Sequence, residues 1–192
     1  MGNVGLVITR RLSIVALALV VAITLPASLT AQQGQTGRTE YRFGAGFTYQ
    51  GADRGSLAND IGGHGELGIM RRQSARLAVG GEAGYHGFTE MACAAIQTCT
   101  WGADWIAHAG AMATLGVRPR GIRAYAVGGM GAYYGGQSSH SASFRPGGSV
   151  GLGVVLLRSA TATLSMDVRY HRFTSDVRGT NYMLPATVSL NW

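Results

Sequence analysis

The titratable residues of this chain fall into short sets with even spacing. His64 stands two before Glu66, Glu82 four before His86, and Asp104 four before His108. Asp167, Arg169 and His171 follow one another at steps of two, Arg76 stands six before Glu82, and Arg42 sits in a further segment of the same character. Even spacing puts each set on one side of a β-strand, because strand side chains alternate between faces. Histidine beside carboxylate is the material of acid–base and nucleophilic chemistry, and His64, His86, His108 and His171 are numerous enough to hold a metal. Neither is expected. The four histidines come from four segments with no diagnostic ligand spacing, and His140 lies in 138–143 without a partner pattern. The expected role of Arg42, His64, Glu66, Arg76, Glu82, His86, Asp104, His108, Asp167, Arg169 and His171 is an enclosed network of ion pairs and hydrogen bonds. Unpaired burial of a charge costs on the order of several kcal/mol. No catalytic residue, no metal and no cofactor is expected.

The elements that must position these residues are eight segments of alternating character, about 39–50, 60–70, 75–88, 100–116, 121–134, 144–157, 161–173 and 182–192. In the first, Tyr41, Phe43, Ala45, Phe47 and Tyr49 share one face, opposite Arg42, Gly44, Gly46, Thr48 and Gln50. In the second and third, Ile61, Leu67, Ile69, Leu77, Val79, Ala83 and Tyr85 lie opposite the charged set. The fourth puts Trp101, Ala103, Trp105 and a run of alanines opposite Asp104 and His108. The fifth is ambiguous: Tyr125, Val127 and Tyr133 are assigned outward, with Ile122 and Met130 on the other side. Val150, Leu152 and Val154 in the sixth, and Met166, Val168 and Tyr170 in the seventh, continue the oily face. A register for the second and third segments centred on residue 73 would set His64 opposite Glu82. A similar estimate across 89–99 would bring Glu82 near His108 and His86 near Asp104. Glycines on the polar face (Gly44, Gly84, Gly151 and Gly153 among them) suit a narrow interior.

The connections alternate. Those at 71–74, 117–120 and 158–160 read as short; those at 51–59, 89–99, 135–143 and 174–181 read as longer and polar. Short turns at one end and longer loops at the other are the pattern of a transmembrane barrel. The expected architecture is an all-β, eight-stranded antiparallel up-and-down transmembrane barrel over 39–192, preceded by a lead-in at 32–38. Ahead of it, Arg10 and Arg11 precede the uncharged run 12–25, then Pro26 and small residues to Ala31. This reads as a cleavable signal peptide over 1–31 rather than a membrane anchor, since a helical span needs ~20 apolar residues.

Composition narrows the class further. The formal net charge of +7 falls by two if 1–31 is removed, and every basic residue is Arg. No basic stripe with interleaved aromatics appears, so nucleic acid is not an expected partner. Cys93 and Cys99 are expected to form one disulfide, contributing about 2 kcal/mol in the chain-entropy model; a metal site is the alternative, with no nearby His to complete it. Tyr49, Tyr85, Trp101, Trp105, Tyr133, Tyr170 and Tyr182 fall at strand ends beside the longer connections, and Tyr41, Tyr125 and Trp192 at the opposite ends. Such placement is that of two interfacial aromatic girdles. Arg71, Arg72, Arg76, Arg118, Arg120, Arg123 and Arg158 gather at the short turns, either as solvated charge or as contacts to anionic phospholipid headgroups.

The final segment, Tyr182 to Trp192, alternates apolar and polar residues and ends on Trp; together with the leader and the strand count, it makes the chain resemble the small outer-membrane β-barrel family of Gram-negative bacteria, the OmpA-transmembrane-domain and OmpX-like group. The run Asp167-Val168-Arg169-Tyr170-His171-Arg172 is similar to a penultimate-strand pattern of such barrels. The resemblance covers roughly 38–192. It implies location in a Gram-negative outer membrane, contact with its lipids, and passage by way of periplasmic chaperones and the barrel-assembly machinery. Val188, Leu190 and Trp192 would form the assembly signal. It implies a structural or surface-exposed role (membrane integrity, adhesion or contact with outside partners through 51–59, 89–99, 135–143 and 174–181) rather than general diffusion. Three alternatives remain. A lipid A-modifying enzyme would need a lipid-facing His–Ser pair, and His171 is followed by Arg172-Phe173-Thr174-Ser175 rather than a close His-x-Ser. A small porin-like channel would need an open lumen. A lipocalin-type carrier would need reversed polarity.

Overall fold

The computed structural model describes residues 37–51, 60–88, 103–117, 123–136, 141–177 and 180–192. Residues 1–36, Cys93, Cys99, Trp101 and His140 lie outside them. Eight strands follow in order: β1 (Thr39–Gly51), β2 (Asp60–Arg72), β3 (Leu77–Phe88), β4 (Trp105–Val117), β5 (Ala124–Gly136), β6 (Ser143–Arg158), β7 (Thr163–Val177) and β8 (Thr180–Asn191). Each pairs antiparallel with the next and β1 pairs with β8, so the sheet closes on itself. Closure leaves no unpaired strand edge, which in lipid would be untenable.

Alternation decides what faces where. Outside lie Phe47 (72% exposed), Leu67, Met130 (74%), Leu152 (72%) and Val188. Inside lie Arg42, His64, Glu66, Glu82, His86, His108, Asp167, Arg169 and His171, all buried. Among the described residues, the outward positions of the strands carry charge only at Arg71, next to the end of β2, and at Arg172, in the later part of β7. The connections 73–76 and 159–162 are tight. Ser74 Oγ accepts from the Arg76 and Leu77 amides, and Ser159 Oγ accepts from the Thr161 and Ala162 amides, the local bonding that makes serine a turn residue.

Strand β5 corrects the outward assignment. Val127 (2% exposed) and Tyr133 (3%) point inward with Tyr125, while Met130 and Tyr134 point out. The cause is local space. An added Cβ on Gly153 would sit 2.3 Å from the Tyr125 ring, and one on Gly147 2.7 Å from the Tyr133 ring. Glycines of β6 therefore make room for two tyrosines in the lumen. Ala103 likewise precedes β4 and is buried, not outward.

Register and connections differ as well. β2 and β3 pair with Gly68 opposite Glu82 and His64 opposite His86, because β2 runs on through Arg72 and the turn centres on residue 75. Arg76 is consequently exposed, in the turn. The stretch 174–181 is mostly strand, with Val177 paired to Thr180. β5 runs to Gly136, so the connection 137–142 is no longer than 118–123 on the opposite end. β6 also carries a bulge, with register shifting between Val155 and Leu157.

Candidate functional site

The interior is organised in layers. Nearest the 89–104 connection, Phe88, Ala103, Ile106, Tyr133, Phe173 and Met183 pack as an apolar cluster across the lumen. Gln50 Nε2 donates to the Ala103 carbonyl at 2.8 Å, tying β1 to the chain before β4. These apolar inward residues were not anticipated from sequence. Strand parity is enough to find Phe88, Ile106, Phe173 and Met183, but not Ala103 or Tyr133.

Below that cluster lies a layer of histidines. Thr187 Oγ1 is 2.9 Å from His64 Nε2, and His64 Nδ1 is 2.9 Å from Thr48 Oγ1. Thr48 Oγ1 is 2.8 Å from His86 Nδ1, and His86 Nε2 is 3.2 Å from His108 Nδ1. His108 Nε2 lies 3.8 Å from Glu82 Oε1, too long for a hydrogen bond. If each imidazole is neutral, one direction of donation satisfies every link. Thr187 donates to His64, His64 to Thr48, Thr48 to His86 and His86 to His108, whose Nε2–H then faces the Glu82 carboxylate. The reverse direction would aim a lone pair at that carboxylate and is disfavoured; this assignment is inferred from the network. Tyr133 Oη lies 2.9 Å from His171 Nδ1, and the His171 ring stands edge-on to His108 with centroids 5.4 Å apart. Thr48 and Thr187, the hydroxyls that join the histidines, were missed as site residues although their parity points inward.

The charged layer follows. Arg169 donates from Nη1 to Glu82 at 2.6 Å, from Nη2 to Glu66 at 3.0 Å and from Nε to Asp167 at 2.8 Å. Arg42 Nη2 reaches Glu66 at 2.9 Å and Asp167 at 2.5 Å. Two guanidiniums thus face three carboxylates. Tyr125 offsets part of the excess negative charge by donating to Asp167 at 2.9 Å. Three strands supply the carboxylates and two supply the arginines, so the cluster ties β1, β2, β3 and β7 together across the lumen. Glycine makes this crowding possible: a Cβ on Gly44 would lie 2.8 Å from Glu66 Oε1, and one on Gly84 2.4 Å from the His108 ring.

Asp104 is not brought into this cluster. It precedes β4, is half-buried and uses its carbonyl to accept from the Phe88 amide at 2.8 Å. The residue beside His86 is His108, not Asp104. Beneath the charges, Met70, Ala78, Met112 and Val127 form a second apolar layer, with Tyr125 packed on it.

On the outer face, aromatic rings meet in pairs near the 89–104 end: Tyr49 with Tyr182, Tyr170 with Tyr182, Tyr85 with Trp105, and Trp105 with Tyr134. Tyr134, not Tyr133, holds the outward place in this group. At the other end Tyr41 meets Trp192, their centroids 6.3 Å apart. Among the described residues every histidine lies inside, and none shares the outer face with a serine.

No protein-family model and no curated protein matches the chain in sequence. Solved structures match in fold. Neisserial surface protein A aligns over 80% of this chain and 95% of its own, at 11% identity and a TM-score of 0.55. The N-terminal β-barrel domain of Pseudomonas aeruginosa OprF covers 83% of this chain and 100% of its own, at 13% identity and a TM-score of 0.49. Ail, the attachment invasion locus protein of Yersinia pestis, covers 82% and 100%, at 14% identity and a TM-score of 0.48. At such identities the likeness is one of fold, and it is drawn from the first of the three. The chain is an eight-stranded antiparallel closed barrel, similar in architecture to small outer-membrane barrels.

Proposed function

We propose that the chain is an integral barrel of a Gram-negative outer membrane, with a structural or surface-exposed role exercised through its longer connections, and that it is not a general diffusion channel. The observation that carries this reading is the polarity of the sheet. Among the described residues, an exterior whose strand positions carry charge only at Arg71 and Arg172 surrounds an interior holding Arg42, Arg169, Glu66, Glu82 and Asp167. A soluble carrier of lipocalin type needs the opposite arrangement. Lipid contact over the outer face, a leader removed from 1–31, and recognition of Val188, Leu190 and Trp192 during assembly belong to the same reading.

Against free diffusion stand the two apolar layers and the charge cluster, in which Ile106, Met183 and Arg169 are at most 1% exposed. Eight strands enclose a space that side chains fill. Fractionation and conductance test the proposal together. The protein should require detergent for extraction, migrate faster on gels unheated than boiled, and give no stable conductance in planar bilayers. Recovery in the soluble periplasmic fraction would overturn the membrane assignment, and large steady currents would overturn the closed lumen.

A further inference from the structure

At the end of the short connections the lumen widens into an open cavity of about 720 Å³, within the ~300–1,000 Å³ of small-molecule sites. Arg38, Arg42, Arg72, Arg76, Arg123 and Arg158 line it. Glu40 is the one acidic side chain among its described lining residues, and Arg72 holds it at 3.0 and 2.7 Å. The described connections at this end, 73–76 and 159–162, contain no Asp or Glu. The charged side chains of the wall are therefore predominantly basic.

Two observations turn this charge into a site. The first is convergence. The guanidiniums come from β1, from β2, from the turn before β3, from the residue before β5 and from the end of β6, and they meet around one concavity instead of spreading around the outer rim. Arg71, by contrast, is on the outward face of β2 and does not line the cavity. The second is Arg42. It is 4% exposed and lines the cavity; its Nη2 serves Glu66 and Asp167, while its Nε is buried without a hydrogen-bond partner. A buried guanidinium donor left unanswered beside a basic concavity is the feature a bound anion would complete.

We infer that this mouth binds a phosphate-bearing anion. Arginine forks match phosphate oxygens in pairs, and several converging forks suit the many oxygens of a multivalent anion better than a lone carboxylate. A cleft lined by one sign of charge also concentrates such ions. The chain's own residues 1–36 contain no acidic side chain, so they are no electrostatic counterpart for the site. The phosphate has two sources: an anionic phospholipid headgroup from the adjacent leaflet, or a soluble phosphate ester. This inference does not depend on the proposed role of the longer connections at the other end.

The test uses full-length protein folded in uncharged detergent, with inorganic triphosphate as probe, followed by titration calorimetry and by the fluorescence of Trp192, which lines the cavity. Saturable binding is expected. The double variant Arg76→Gln with Arg123→Gln should weaken it by at least about tenfold, and Arg145→Gln, which lies outside the cavity, should not. Unheated gel migration verifies that each variant is folded. Repeating the titration in phosphatidylcholine and phosphatidylglycerol nanodiscs separates the sources. Loss of triphosphate binding in phosphatidylglycerol alone identifies the headgroup as occupant, and equal binding in both identifies a soluble anion. Absence of saturable binding in detergent and in phosphatidylcholine, or undiminished binding by the folded double variant, overturns the inference.

Discussion

Arginine occurs in two settings in this barrel, and the contrast shows what enclosure does to an ion pair. Arg169 sits in mid-lumen with a fully buried side chain and gives each of three nitrogens to a different carboxylate. Arg72 sits at the mouth, its side chain 26% exposed, and forms one pair with Glu40. The mouth pair is wet, so water replaces much of what it loses when broken. The enclosed cluster has no such substitute: removing its centre leaves Glu66, Glu82 and Asp167 buried with Arg42 alone. Arg169→Met should therefore cost about 3–5 kcal/mol, and Arg72→Gln less than about 1 kcal/mol, both read from urea unfolding in lipid vesicles. Equal losses would erase the distinction between the two settings.

The histidine layer lies between these extremes, because it is enclosed and yet can be satisfied without charge. Its weak point is Thr48, whose single hydroxyl serves both His64 and His86. Thr48→Val keeps the side-chain volume and strands two buried imidazole nitrogens, each costing about 1–3 kcal/mol when left without a partner. The expected loss is larger than that of Arg72→Gln and overlaps the range of Arg169→Met. The side-chain ¹⁵N shifts of His64 and His86 should move together. Independent movement would mean that the two rings are not joined through the hydroxyl.

Much of this was legible in the sequence. Alternation in β1, β2, β3, β6, β7 and β8 identified strands and facing, since lipid-like and ionic faces differ so strongly in composition. The oily-outward rule fails where the lumen itself takes oily residues. Tyr125, Val127 and Tyr133 are large and apolar, and only the glycines of the neighbouring strand reveal that they fit inside. The partners within the charge cluster were not legible either. Hairpin register relates neighbouring strands, whereas Arg169 meets Glu82 and Arg42 meets Asp167 across the barrel. A two-residue displacement of the β2–β3 turn was enough to exchange Gly68 for His64 opposite Glu82. At 174–181 the sequence is polar, so no oily face marked the pairing of Val177 with Thr180.

The smallest expected effect bears on the strand that the sequence misplaced. Tyr133 and Tyr134 are adjacent, chemically identical and on opposite sides of the wall: one is 3% exposed with its hydroxyl at His171, the other 44% exposed against Trp105 and Phe144. Removing the hydroxyl from each isolates the facing from everything else about the strand. Tyr133→Phe should cost about 1 kcal/mol, the low end of leaving one buried imidazole nitrogen, His171 Nδ1, without its partner. Tyr134→Phe should change stability by no more than about 0.5 kcal/mol, as expected of a surface position. The pair differs by a single oxygen at neighbouring positions, so propensity and backbone terms cancel between them. A larger loss at 134 than at 133 would turn β5 over and, with it, detach Tyr125 from Asp167.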